Sequence, residues 1–122
     1  MDCLFCNIIN GTKESKKIYE DDKVIGIMDA FPNVDGHVLL IPKKHITDFK
    51  ELDSDTLNHM YEVSKTLTDK LMTKLDKKAI TLLVNYGESQ VIKHLHLHLL
   101  PNYGKEMEAK SSPDEIYDKL KK

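Results

Sequence analysis

Apolar residues recur in this chain at two different periods, and each change of period predicts where an element begins or ends. Near the start, CLFCNIIN places Phe5, Ile8 and Ile9 on one face of a short helical turn, and the polar stretch from Gly11 to Ser15 follows as a loop. Lys17 to Glu20, Lys23 to Ala30 and His37 to Pro42 are rich in Val and Ile and read as strands. Asp21-Asp22 makes the first turn between them and Pro32-Asn33-Val34-Asp35-Gly36 a longer second one, so these strands pair most simply as antiparallel neighbours. The period then lengthens. From Asp53 or Ser54, each a suitable N-cap, the residues Leu57, Met60, Val63, Leu67, Leu71 and Leu75 recur at three- and four-residue steps, which predicts an amphipathic helix of about twenty residues. Ala79 to Tyr86 and Lys93 to Leu100 read as two more strands joined by GESQVI. Ser112-Pro113-Asp114-Glu115 opens a short terminal helix with a cap and a proline at its first position. The predicted class is α+β: an antiparallel sheet of about five strands, one long helix and short terminal helices. With no repeat and no low-complexity linker, residues 1–122 are expected to form one domain.

Charge narrows the partners. The 18 Lys and Arg are interleaved with 20 Asp and Glu, for a net charge of −2 and a pI near 6.3, so there is no basic surplus to grip a phosphate backbone and no nucleic-acid partner is expected. The opening MDCLFCNII lacks a basic n-region, and no stretch approaches the ~20 apolar residues of a membrane span, so a cytoplasmic protein without membrane attachment is expected. Its two cysteines, Cys3 and Cys6, sit three apart, a spacing that in a reducing compartment favours metal ligation or redox chemistry over a structural disulfide.

The chemistry concentrates in HLHLHLLP, residues 94 to 101. Side chains alternate across a strand, so His94, His96 and His98 project from one face while Leu95, Leu97 and Leu99 project from the other, toward the long helix. At about 3.3 Å per residue, His94 and His98 stand ~13 Å apart along the strand, too far for all three rings to share one ion. The three must divide their labour. Cys3-x-x-Cys6 supplies half of a tetrahedral zinc site that two histidines would complete; His45 and His94 are the candidates, with His37 in reserve. A thioredoxin-like redox role would need a βαβ pattern that the chain lacks. His59, between Asn58 and Met60 on the long helix, reads as a solvated helix residue. That leaves His96 and His98 for catalysis, because a neutral imidazole is a competent nucleophile toward phosphorus and a neighbour on the same face can orient the phosphate. No G-x-S-x-G, Walker loop or dinucleotide fingerprint competes with them.

The run SQVIKHLHLHLLP, from Ser89 to Pro101, resembles the Q-x-x-x-H-φ-H-φ-H-φ-φ signature of the histidine triad (HIT) family, where φ is apolar. CLFCNIINGTKESKKIYEDD, IMDAFPNVDGHVLLIPKKH and LLVNYG also look like their counterparts in small bacterial members. The resemblance implies a HIT-like fold and a nucleoside monophosphate, usually AMP, carried on the middle histidine, His96. It implies a phosphate contact at His98, a ribose-binding acid at Asp29, and Phe5, Ile8 and Ile27 around the base. Asn85 and Gln90 match polar residues that hold phosphate and ribose. In members with CxxC, zinc is held by positions that match Cys3, Cys6, His45 and His94, and a homodimer is common. The expected function is hydrolysis or transfer of nucleoside monophosphates from adenylylated substrates, phosphoramidates or dinucleoside polyphosphates, through a covalent nucleotidyl-histidine, with structural zinc. Two alternatives stand beside it: a zinc-stabilised nucleotide-binding or adaptor protein with little turnover, and a metallohydrolase with His96 and His98 as ligands. Ser89 stands where many members have Gly before the Gln, Val91 replaces a Ser that one branch uses near the leaving group, and Asn102 follows Pro101 where another branch has Arg.

Overall fold

The structure is a computed structural model that describes residues 3–121. Five antiparallel strands, β1 (Lys17–Glu20), β2 (Val24–Met28), β3 (Val38–Pro42), β4 (Ile80–Leu83) and β5 (Leu97–Pro101), form one sheet in the order β1-β2-β3-β5-β4. The last strand in sequence is therefore inserted beside β3, and β4 is left at the edge. Helices α1 (Leu4–Ile9), α2 (Ser54–Leu75) and α3 (Pro113–Lys121) complete the fold.

The alternation of side chains sorts the sheet into two faces. Val24, Met28, Val38, Leu40, Leu97 and Leu99 pack on one side with Met60, Val63, Leu67 and Leu71 of α2 and with Ile116 and Leu120 of α3. On the other side Ile25, Ile27, Leu39 and Ile41 meet Phe5 and Ile8 of α1. Because both faces are covered, β2 and β3 are buried along their whole length, which is why their sequences are apolar almost without interruption.

Caps set the ends of the helices. The Asp53 carboxylate accepts the Thr56 amide at 3.0 Å and starts α2, and Asp76 ends it in the left-handed conformation at φ 53°. Ser112 and Glu115 exchange hydrogen bonds in a capping box at the start of α3. Leu57 departs from the predicted apolar stripe. It is exposed, together with Tyr61 one turn later, and the two border a groove lined also by Phe49 and Val84.

The strand carrying the histidines is shorter than the pattern predicts, beginning at Leu97 instead of Lys93. Its ladder with β3 runs Val38↔Leu99, Leu39↔His98, Leu40↔Leu97 and then stops. Continued, that register would bring the chain to Pro42, which has no N–H to give and whose carbonyl is already taken by His94 Nε2 at 2.8 Å. Leu95 instead donates its amide to the Ile46 carbonyl, so the alternation survives without the ladder. The same shortening trims β4 to Ile80–Leu83, since its partner ends at Leu83↔His98.

Candidate active site and metal centre

Side chains from four parts of the chain converge on the α1 face of the sheet. Phe5, Ile8, Ile27, Asp29, Asn85, His96 and His98 all line one cleft of about 670 Å³. Leu39 adds to the wall, and Phe31 and Val91 stand almost fully exposed on its lining, at its mouth. Gln90 is elsewhere: it is buried, and its amide donates to the Thr47 carbonyl. His59 is hydrogen-bonded rather than simply solvated, its Nε2 meeting an Asp21 carboxylate oxygen at 2.7 Å and tying α2 to the β1–β2 turn.

Hydrogen bonds fix where the ring protons sit. His96 Nδ1 faces the backbone carbonyl of His94 at 2.8 Å, an acceptor only, so Nδ1 carries the proton and Nε2 keeps its lone pair. A second chain of bonds starts at a peptide group. The Asn33 N–H donates to His37 Nδ1 at 3.2 Å, which puts the His37 proton on Nε2, and that proton is given to His98 Nδ1 at 2.8 Å. His98 must then bear its own proton on Nε2, and the Asn85 amide nitrogen, 3.5 Å away, is a second donor beside it. The two triad rings in the cleft, 4.8 Å apart between centroids, thus present opposite functions, one a lone pair and the other an N–H donor.

Burial holds these rings neutral. It is the largest cause pushing His37 and His96 below the ordinary histidine value. Burial, followed by the proximity of His96 and His37, takes His98 down to about 4. A neutral pair suits an incoming phosphate, since one ring keeps its nucleophilic nitrogen and the other its donor at pH 7.

His37, held in reserve as a zinc ligand, belongs to this network instead. Leu39 lies opposite His98 on the neighbouring strand, and His37 falls on the same face two residues earlier. Nothing in the sequence reveals that β3 and β5 are neighbours, so the role is invisible there. Although Asp29, His37 and His98 offer converging ligand atoms, metal ligation through His37 Nε2 would move its proton to Nδ1, against the Asn33 N–H. His96 belongs to neither converging group of three or more ligands among the described residues.

Beside the cleft, Cys3, Cys6, His45 and His94 bring their ligand atoms within 4.8 Å of one another. Cys3 Sγ lies 3.3 Å and Cys6 Sγ 3.5 Å from His94 Nδ1, and Cys6 Sγ lies 3.2 Å from His45 Nδ1. Tetrahedral zinc with Zn–S near 2.3 Å and Zn–N near 2.0 Å requires S···N edges of about 3.5 Å. The donor set fits. His94 is also in the tautomer that ligation needs, because Nε2–H donates to the Pro42 carbonyl and leaves Nδ1 free for the metal. Without a cation, burial and the neighbouring Cys3 push the Cys6 thiol up, which is the shift that a bound cation reverses.

The HIT domain model matches residues 10–105 of the chain. The chain belongs to the HIT family. A HIT-like protein of Mycoplasma genitalium is 40% identical over 103 residues, covering 83% of this chain and 73% of that one. The adenylylsulfatase HINT3 of Arabidopsis thaliana is 35% identical over 102 residues, 82% of this chain and 52% of HINT3. Among solved structures, a zinc-bound histidine triad family protein from Mycobacterium smegmatis superposes with a TM-score of 0.89 at 29% identity, covering 98% of this chain and 91% of its own. The five-stranded antiparallel sheet with flanking helices is thus the HIT fold, and the family is one of nucleotide-binding and hydrolytic proteins. Among the described residues no helix is long and apolar enough to cross a membrane.

Proposed function

We propose that this HIT protein transfers a nucleoside monophosphate, AMP in the first instance, from an adenylylated substrate to His96 and then to water or another acceptor. The observation that carries the reading is the pairing of an unprotonated His96 Nε2 with a His98 Nε2–H on the lining of one cleft. Phe5, Ile8 and Ile27 would hold the base, Asp29 a ribose hydroxyl, and His98 and Asn85 the phosphate oxygens; Gln90, buried on Thr47, would shape the loop before the triad.

In the first step the His96 Nε2 lone pair forms a bond to the α-phosphorus as the bond to the leaving group breaks, and the leaving group departs with its electron pair. The His94 carbonyl, already bonded to Nδ1–H, stabilises the imidazolium that forms, and His98 donates to a phosphoryl oxygen. Water then attacks phosphorus as the N–P bond breaks; the electron pair returns to His96 Nε2, AMP is released, and the water's surplus proton passes to solvent. Cys3, Cys6, His45 and His94 would hold a zinc ion, whose contribution is structural. The HINT3 relative, named for adenylylsulfate cleavage, supports substrates activated by adenylylation.

We also propose a cytoplasmic homodimer. Among the described residues the outer edge of β4 has no strand beside it, and Leu57, Tyr61, Leu82, Val84 and Tyr86 are exposed on or near it. A twofold partner would pair that edge and cover those side chains.

The deciding experiment is intact mass spectrometry after mixing with an adenylylated substrate and quenching without acid. One added AMP that maps to His96 is expected, and His96→Ala should lose turnover while still binding AMP. A binding protein without turnover would give no adduct, and brisk hydrolysis by folded His96→Ala would exclude the nucleophile.

A further inference from the structure

Helix α1 belongs to two sites at once. It carries Cys6 and is capped by Cys3, the two cysteines of the metal cluster, and its Leu4, Phe5 and Ile8 line the cleft. At six residues it is far too short to persist by its own hydrogen bonds. Its backbone does not join the sheet: among the described residues the bonds from its ends run Asn7 to Cys3, Asn10 to Cys6, Gly11 to Ile8 and Lys13 to Asn7, all within its own segment. Among the described residues it is held by side chains, by Phe5 and Ile8 packing on Ile25, Ile27, Leu39 and Ile41, and by the two thiols against His45 and His94.

The rings that would react are anchored differently. His96 is oriented by the backbone carbonyl of His94, and His98 by His37 and the Asn33 amide, none of which lies on α1. Phe5 is where the two systems touch. It stands between the cysteines in sequence, and its ring meets His94 edge-on at 5.9 Å and His96 at 4.9 Å.

We propose that the metal cluster and the cleft are reciprocally coupled: α1 is a wall clamped through Cys3 and Cys6, so metal occupancy sets nucleotide affinity and bound nucleotide strengthens metal retention. This rests on the zinc and nucleotide assignments made above. Phe5 is the positioning residue that transmits the clamp. Loosening the wall removes apolar contact with the base, while His94, whose carbonyl orients His96, stays anchored by its Nε2–H bond to the Pro42 carbonyl and by the Leu95 N–H bond to Ile46. The network of His37, His96 and His98 is kept, so metal loss acts on KM far more than on kcat. A metal that merely adds global stability would leave the affinity of the folded protein unchanged.

The test uses the full chain and AMP as probe. Calorimetry on zinc-loaded protein and on protein stripped with a chelator, both shown to be folded by circular dichroism, should give an AMP Kd at least about tenfold weaker after stripping, within the usual span of coupled sites. Competition with a chromophoric chelator should show zinc held more tightly by the same factor when AMP is saturating, since linkage is reciprocal. Equal AMP affinity in the two folded forms overturns the coupling and leaves both assignments standing. If stripping unfolds the chain, the chelator competition decides, and a zinc affinity indifferent to AMP overturns it. Failure to bind zinc or AMP at all defeats the underlying assignment, and the coupling with it.

Discussion

His98 and its neighbours give the molecule a pH dependence whose direction follows from burial. His37, His96 and His98 titrate below the ordinary histidine value of 6.5 in the folded chain, His98 down to about 4. As pH falls below 6.5 the unfolded chain takes up protons at these positions and the folded chain does not, so stability is lost progressively and the loss levels off only below the folded values. Urea midpoints should therefore fall from pH 7 to pH 5, above the range in which unfolded carboxylates titrate, and His98→Gln should flatten part of that slope. A midpoint constant across this interval in the parent protein would contradict buried, neutral rings. Asp29 permits a second prediction. One of its oxygens accepts the Phe31 amide at 2.8 Å and the other lies 3.5 Å from His37 Nε2, and the carboxylate lines the cleft. Asp29→Ala should weaken AMP binding by about 1–3 kcal/mol, the scale of a hydrogen bond to a charged group, and unchanged affinity by calorimetry would dismiss the ribose contact. The alternation of His94, His96 and His98 was legible in the sequence because it is local. His37 was not, because its role depends on which strand lies next to β5.

At the scale of elements, the loop between β2 and β3 delivers both Asn33 and His37, and Gly36 is its tightest point. Its φ is +85°, and a Cβ there would sit 2.6 Å from a Leu75 methyl and 3.0 Å from the Pro101 ring. Gly36→Ala should lower stability by about 1–3 kcal/mol through overpacking, with further cost from the left-handed backbone. Chemical denaturation measures this directly, and a neutral effect would mean that α2 and β5 can yield there. The long helix was readable almost to the residue, since Asp53 caps it and its apolar period is long and regular. The ends of β4 and β5 were not. Apolar alternation continues through Lys93 to Leu100, but a strand exists only where a partner offers donors and acceptors, and Pro42 ends that offer four residues early.

At the scale of the whole molecule, the described residues leave one edge of the sheet uncovered. The five-stranded sheet ends at β4, and Leu57 and Tyr61 project from α2 on exposed ground beside Phe49 and Val84. Sedimentation should give twice the chain mass, and replacing Leu57 and Tyr61 by Glu should give monomers with the fold retained; a parent protein that is monomeric at micromolar concentration would refute the dimer. The sequence by itself determined what is local or compositional: the lengths and periods of the helices, the alternation that separates histidines from leucines, the CxxC pair, the absence of a basic surplus, and the triad signature of the HIT family. Tertiary structure alone decided the strand order β1-β2-β3-β5-β4, and with it the placement of His37 behind His98, of Asn85 beside it, and of His45 and His94 against the two cysteines. Side-chain period is a property of one segment and survives in the sequence, whereas adjacency is a property of pairs, set by which apolar faces can be buried together and which backbone groups remain to be satisfied.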